Sequence, residues 1–251
     1  MHLLNKLKEF NRKQQFEPGL FSLLTNANHF IKSGVYKGVK ANASFCKGKL
    51  LDVGCGNKPY RHHFHVEEYI GIDIHNEAHD HSGEPIDLIY DGKTIPFGDK
   101  HFDSVFSSEV FEHVFHLEEL IGEINRVMVK DGILLVTLPF VWIEHEKPND
   151  FARYSSFGIR SLLERNGFEI VSLKKTSTYI EATTQLRAAY VYNTLLPDFR
   201  PFKVLGSLFF VSLINITGKL LSALLPDNPD LYLNNVVVAR KNQDAVSGSG
   251  C

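Results

Sequence analysis

Cysteine is scarce: Cys46, Cys55 and Cys251 are the whole complement. An odd, sparse set argues against a disulfide framework and fits a reducing compartment, so a cytoplasmic protein is expected. An excess of one charge sign is missing too. A net charge of −2 over 251 residues gives no support for a nucleic-acid partner, and none is expected. The opening MHLLNKLKEFNRK lacks the apolar stretch of a signal peptide. Its Leu3, Leu4, Leu7 and Phe10 instead fall on one helical face, which reads as a docking helix or a membrane-surface anchor. Internal repeats and long low-complexity tracts are absent. An apolar fraction of 43% is ordinary for a globular chain and supplies a sizeable core.

Strand-like apolar runs alternate with helical stretches. KLLDVGCG reads as a first strand and its turn, Glu68–Ile74 as a second strand and Pro85–Asp91 as a third. Phe102–Ser108 reads as a fourth and Gly132–Phe140 as a fifth. Short apolar strands separated by helices predict a parallel sheet covered on both faces. Leu117, Leu120, Ile121, Ile124, Val127 and Met128 repeat at helical spacing, and Asp131-Gly132 is expected to end that helix. Another helix starts near Ser155-Ser156 and stops at Gly167. FEIVSLKKTS follows as a sixth strand, and Leu231–Lys241 makes a last one. The tail NQDAVSGSGC is expected to be disordered.

Between the sixth and last strands lies an insertion, about 181–226. Its segment Val204–Leu225 has the length to cross a bilayer. However, Ser212, Asn215, Lys219 and Ser222 recur every three or four residues. That stripe makes the segment an amphipathic helix, broken at Gly218. It is expected to cap the sheet or a dimer face, with contact to a membrane surface and a true span as the alternatives.

In an open parallel sheet, ligands bind beyond the carboxyl ends of the strands, where the winding direction switches. Polar residues gather there. Asp52, Gly54, Cys55 and Gly56 follow the first strand, and Asp73 closes the second. Asp91 and Gly92 close the third, and Ser107, Ser108 and Glu109 follow the fourth. The two glycines allow a tight turn and let a ligand lie against the backbone. A helix N-terminus after the turn would offer free N–H groups to a carboxylate. Asp73 follows Asp52 by 21 positions, where an acid can accept from both hydroxyls of a ribose. Asp91 could accept from an exocyclic amine of adenine.

The segments LLDVGCG, YIGIDI, IPFGDKHFDSVFSSEVFEHV and EINRVMVKDGILLVTLP together resemble the class I S-adenosylmethionine-dependent methyltransferases, in particular the type 11 methyltransferase-domain group. A weaker match runs through HEKPNDFARYSSFGIRSLLERNGFEI and the final NNVVVARK. The resemblance implies an α/β, Rossmann-like, seven-stranded, mostly parallel sheet with an antiparallel last strand and helices on both faces. It implies a cofactor-binding core at 46–180, after an N-terminal helical region at 1–45. A helical insertion at 181–228, a last core strand at 229–241 and the tail at 242–251 complete the chain. It further implies that Asp52, Gly54, Cys55 and Gly56 surround the methionine part of S-adenosylmethionine. Asp73 would hold the ribose, Ile74 would pack near the adenine, and Asp91 and Gly92 would lie beside it. Ser108 and Glu109 would line the cofactor near its reactive centre. The chain departs from the family's fuller glycine loop, reading Asn57-Lys58-Pro59 where many members carry a third glycine. S-adenosylmethionine has no pyrophosphate, so this departure weakens a nicotinamide-dehydrogenase reading more than a methyltransferase one.

The expected activity is methyl transfer to a small-molecule or lipid- or glycan-linked acceptor; a non-catalytic S-adenosylmethionine-binding scaffold is the alternative. An oxygen acceptor needs a base within reach. His113 in EVFEHV and His145 in WIEHEKPNDFARY are the candidate catalytic residues, since histidine titrates near neutrality. The histidines at 62, 63 and 65 and at 75, 79 and 81 have no firm ligand spacing and no cysteine partners, so no metal is expected. Cys55 reads as a small packing residue. Membrane-surface contact, if made, is assigned to 204–225; the sequence leaves the oligomeric state open.

Overall fold

The computed structural model describes residues 14–75 and 83–245. The apolar face at Leu3–Phe10, His79, His81 and the last six residues of the tail lie outside the described residues. Two compact units are present. One combines the chain up to Lys37 with Lys175–Asn234; the other combines Gly38–Lys174 with Asn235 onward.

The second unit is built on a seven-stranded sheet. Its strands are β1 (Lys49–Val53), β2 (Glu68–Ile74), β3 (Leu88–Tyr90), β4 (Phe102–Ser108), β5 (Met128–Pro139), β6 (Phe168–Lys175) and β7 (Asn234–Lys241), in the spatial order β3-β2-β1-β4-β5-β7-β6. β1 pairs in parallel with β2 and β4, β2 with β3, and β4 with β5. β7 runs antiparallel: Thr176 N donates to Asn234 O at one end, and Asn242 N donates to Gly167 O at the other. Leu50, Leu51 and Val53 are fully buried, as expected of a central strand covered on both faces.

The helix after β4 is α3 (Leu117–Val127), numbered after α1 (Leu20–Thr25) and α2 (His29–Asn42). Its Leu120, Ile121 and Ile124 are buried at helical spacing. It ends at Val127, four residues earlier than the Asp131-Gly132 signal predicts. Met128 enters the sheet at once, opposite Phe102. The pairing then slips, so that Ser104 faces Ile133. Asp131 and Gly132 therefore form a bulge inside β5, and Asp131 adopts φ +65° there. A side chain at Gly132 would press on Asp103 O and Val129 O. The end of α3 is capped by a fully buried cation: Lys241 Nζ donates to Asn125 O and Met128 O at 2.8 and 3.0 Å. α4 (Ser156–Arg165) follows the sequence reading, with Ser155 Oγ accepting from Gly158 N and Gly167 at φ +83° after its end.

In the first unit, α5 (Tyr179–Tyr190) opens with a capping box between Thr178 and Glu181. α6 is one continuous helix, Arg200–Leu224, with a π-turn at Ser207–Val211; it is long and apolar enough to cross a membrane by length and composition. It does not break at Gly218. The seam facing α1 and α5 is small and polar: Asn215 Nδ2 donates to Leu23 O and Asn26 O, and Ser222 Oγ bonds Thr178 Oγ1 at 2.8 Å. A side chain at Gly218 would collide with Thr184. The large apolar side chains point outward; Phe209 is 68% exposed and Leu224 78%. The polar stripe is thus a packing surface made of small groups, which lets helices approach closely, and the outward face is the apolar one.

Candidate active site at the strand ends

The winding direction switches between β1 and β4, and a cavity of about 460 Å³ opens at their carboxyl ends. That size suits a nucleoside-sized ligand, within the roughly 300–1,000 Å³ of small-molecule sites. Gly54, Gly56, Asp73, Ile74, Asp91, Gly92, Glu109 and His113 all line it. Sequence reasoning missed Tyr90, Lys93, Phe115, Glu119 and Asn149, which line it as well. Phe115 is marked in the sequence only by its apolar character in a polar turn.

The glycine loop is fastened to the end of β2. Gly54 N and Cys55 N both donate to Ile72 O, at 2.9 and 3.1 Å. Gly56 N donates to Asp73 Oδ2 at 2.8 Å, while Asp73 Oδ1 accepts from Ile74 N at 2.8 Å. Gly54 has φ +73°, and a side chain there would collide with Val110. At Gly56 (φ +43°) the Cβ direction is open, with only Glu84 Oε2 near, at 4.0 Å. A ligand can lie on that bare backbone. The expected helix N-terminus after the loop is not there. Lys58 turns the chain at φ +49°, Pro59 follows, and only a three-residue 3-10 turn forms at Arg61–His63. The loop amides are spent on β2, so they offer no cradle to a carboxylate. Asn57-Lys58-Pro59 instead anchors the loop sideways: Asn57 Nδ2 donates to Glu84 Oε1 at 2.5 Å, and Lys58 Nζ pairs with Asp87.

Three predicted contacts are displaced. Asp52 is only 2% exposed and faces the sheet interior, where Tyr69 Oη donates to its Oδ2 at 2.5 Å. Burial pushes its carboxyl up to about 7, against the Tyr69 hydrogen bond, which pulls it down. Cys55 is buried, packs where a side chain at Gly71 would sit, and has its thiol pushed up by desolvation. Ser108 bonds Thr137 Oγ1 at 2.8 Å rather than facing the cavity. These residues shape the loop from behind. Alternation along a strand sends neighbouring side chains to opposite faces, which a run of polar letters does not reveal.

Asp91 Oδ1 accepts from Lys93 N and Thr94 N, both at 2.8 Å, and these bonds hold its carboxyl below the usual range. Glu109, at φ +56°, is held by Thr137 Oγ1 on Oε1 at 2.9 Å. His113 donates through Nδ1 to Asn149 O at 2.6 Å. His145, which is outside the cavity lining, packs its ring 4.7 Å from that of His113. Burial pushes the His145 imidazole down, and His113 adds to the effect. Arg153 grips Asp150 through both carboxylate oxygens at 2.6 and 2.7 Å, and Asp150 Oδ2 accepts from His145 N at 2.9 Å. Asp150 is thereby held far below the ordinary carboxylate range.

The sheet order and the glycine loop at its switch point define a class I, Rossmann-like methyltransferase fold. Residues 51–136, about a third of the chain, match the family described as Methyltransferase domain, a family that binds S-adenosylmethionine. No curated protein matches the chain in sequence. Among solved structures, the [4+2]-cyclase SpnF is 18% identical, with 86% of this chain and 83% of that one covered and a TM-score of 0.53. A putative methyltransferase bound to the Trm112 activator of Haloferax volcanii is 14% identical, covering 85% and 92%, also at 0.53. Phosphoethanolamine N-methyltransferase 2 of Haemonchus contortus, in complex with S-adenosyl-L-methionine, is 15% identical, covering 93% and 60%, again at 0.53. At these identities the likeness concerns the fold.

The buried Asp52 makes stability depend on pH. Its unfolded carboxyl titrates near 4 and its folded one near 7, so between these values only the unfolded chain has released the proton. Stability therefore falls as pH rises through that window, by at most about 1.4 kcal/mol per pH unit, and is level above it. Asp52→Asn should remove this slope. Denaturant unfolding at pH 5 and pH 7 should show the variant gaining on the parent as pH rises; parallel stabilities would refute the assignment.

Proposed function

We propose that this protein transfers a methyl group from S-adenosylmethionine to a small or lipid-linked acceptor presented at a membrane surface. The observation that carries the cofactor half is the cavity. Asp73, Asp91, Glu109, Glu119 and Glu146 face it against one lysine, Lys93, an acidic lining that suits a ligand bearing a sulfonium and an ammonium. The residues fit the group: Gly56 leaves bare backbone, and each Asp73 oxygen has spent one of its acceptor positions on an amide. The remaining positions suit a ribose diol. Ile74, 40% exposed, and Tyr90 supply apolar surface beside Gly92 for a planar base.

When bound, the cofactor supplies an electrophilic methyl group. The chain's own work is positioning and water exclusion, which accounts for much of the rate gain in a transfer of this kind. Asp73 and the glycine loop set the depth of the nucleoside. Glu109, locked by Thr137, and His113, locked by Asn149, form the wall where an acceptor would approach. Phe115 and Val114 exclude water from the same side. The likeness to a phosphoethanolamine N-methyltransferase is in keeping with a small acceptor.

The membrane half rests on α6. Phe209, Phe210, Leu213, Leu220 and Leu224 are each about half or more exposed on a helix whose small polar residues face the protein. A lipid surface is the occupant that accepts such a face without a complementary partner.

Two measurements test the proposal. Calorimetric titration with S-adenosylhomocysteine should give one site in the parent and at least a 10-fold weaker one in Asp73→Ala, given about 1.5–3 kcal/mol for hydrogen bonds to a charged group. No binding by the parent would sink the cofactor reading. Flotation with phospholipid vesicles should recover the parent and lose at least 10-fold of it when Phe209, Phe210 and Leu213 become Ser. Vesicle-independent dimerisation through the same residues would reassign the face to a second copy.

A further inference from the structure

Behind His113 in the cavity wall lies a buried carboxylate without a hydrogen-bond partner. Glu112 is 1% exposed, and neither of its carboxylate oxygens has a hydrogen-bond partner. Leaving an ionised carboxylate in that condition costs several kcal/mol unless a cation or a proton meets it. Two imidazoles converge on the same point. Glu112 Oε1 lies 3.8 Å from His113 Nε2 and 4.0 Å from His145 Nε2. The three ligand atoms all lie within 4.8 Å of one another. Glu146 Oε2, on the cavity side, is 3.8 Å from His113 Nε2.

The outer bonds fix what these atoms offer. Asn149 O can only accept, so His113 Nδ1 carries a hydrogen and Nε2 is the ring atom turned toward Glu112 and Glu146. His145 Nδ1 faces Ile143 O at 3.3 Å and Asp150 Oδ2 at 3.4 Å, both nearer than Arg153 Nη2 at 3.5 Å. It therefore donates as well, and burial, which pushes this imidazole down, favours the neutral ring with a lone pair on Nε2. Two imidazole nitrogens thus converge on a carboxylate that has no hydrogen-bond partner, an arrangement that a shared cation would satisfy. A backbone carbonyl or carboxylate behind each ligating imidazole is the usual support of a metal site. The loop that brings His145 in is itself pinned: Phe151 N and Ala152 N donate to the main-chain oxygen of Glu112, and Arg153 clamps Asp150.

We propose that Glu112, His113 and His145 bind a divalent first-row transition cation, of the Zn²⁺ or Mn²⁺ kind, with Glu146 completing the shell on the cavity side. Two nitrogens and carboxylate oxygens suit such ions, whereas Mg²⁺ and Ca²⁺ call for oxygen sets. Ligands about 2.0–2.1 Å from one ion stand roughly 3.3 Å apart, so closure asks each side chain to move by a few tenths of an ångström. This departs from the expectation of no metal. The sequence shows Glu112-His113 and His145 32 positions apart, and only the folded loop brings them together. An ion there borders the cavity at His113 and Glu146, where it would acidify a bound hydroxyl or water. The acceptor class then narrows to one offering an oxygen, an extension that rests on the methyltransferase reading.

The test uses the full chain and the metal alone. After removal of metal by a chelator, titration with Zn²⁺ and separately Mn²⁺ should show one equivalent bound to the parent. Glu112→Gln and His145→Ala should each weaken binding by at least 10-fold. S-adenosylhomocysteine affinity should stay within threefold in both variants, which shows that they remain folded. Co²⁺ in place of Zn²⁺ should give a visible d–d spectrum that His145→Ala alters. Failure of the parent to bind either ion, or equal binding by both variants, would overturn the site while leaving the cofactor reading untouched; loss of S-adenosylhomocysteine binding with metal binding intact would do the reverse.

Discussion

The hydrogen bond from Gly56 N to Asp73 holds together everything that gathers at the strand ends. Gly54 N and Cys55 N reach Ile72 O, and Gly56 N reaches the next residue's carboxylate, so three successive amides of the loop dock on the last turn of β2. That docking lets the chain leave β1 at positive φ and lie flat, with the bare face of Gly56 outward. It also aims Asp73, because an oxygen that holds Gly56 and another that holds Ile74 leave the carboxylate no free rotation. Lys58 and Asn57 extend the fastening to Asp87 and Glu84. The loop is therefore rigid without a third glycine and without a following helix N-terminus.

Much of the architecture is legible in the letters. Continuous apolar runs in LLDV, FDSVFSS and the fifth strand mark buried parallel strands, since each must be apolar on both faces. The acids that close β2 and β3 fall where the topology makes a crevice, and Asp73, Asp91, Gly54 and Gly56 all reach it. What was not legible depends on orientation. Asp52 and Cys55 are adjacent in sequence to cavity residues yet face inward, and Ser108 turns to Thr137. The bulge at Asp131-Gly132 looks like a helix stop because glycine after an acid signals both. The side on which the α6 stripe packs is not legible either, because small polar residues mark a helix–helix seam as well as a wet face, and periodicity alone does not say which side is solvent.

His113 and His145 show the same limit from the other direction. Each is a reasonable lone base in the sequence. In the structure they are a pair, with their Nδ1 atoms on carbonyl or carboxylate oxygens and their Nε2 atoms facing one buried glutamate at 3.8 and 4.0 Å. Arg153, Asp150 and the Glu112 main chain are spent on keeping them there.

Hydrogen exchange read by mass spectrometry, with and without S-adenosylhomocysteine, asks whether the glycine loop and Asp73 receive a nucleoside-bearing cofactor. Slowed exchange is expected only in peptides covering 54–58, 72–75, 90–94 and 109–116. Unchanged exchange in those peptides, or protection centred elsewhere in the chain, would contradict it.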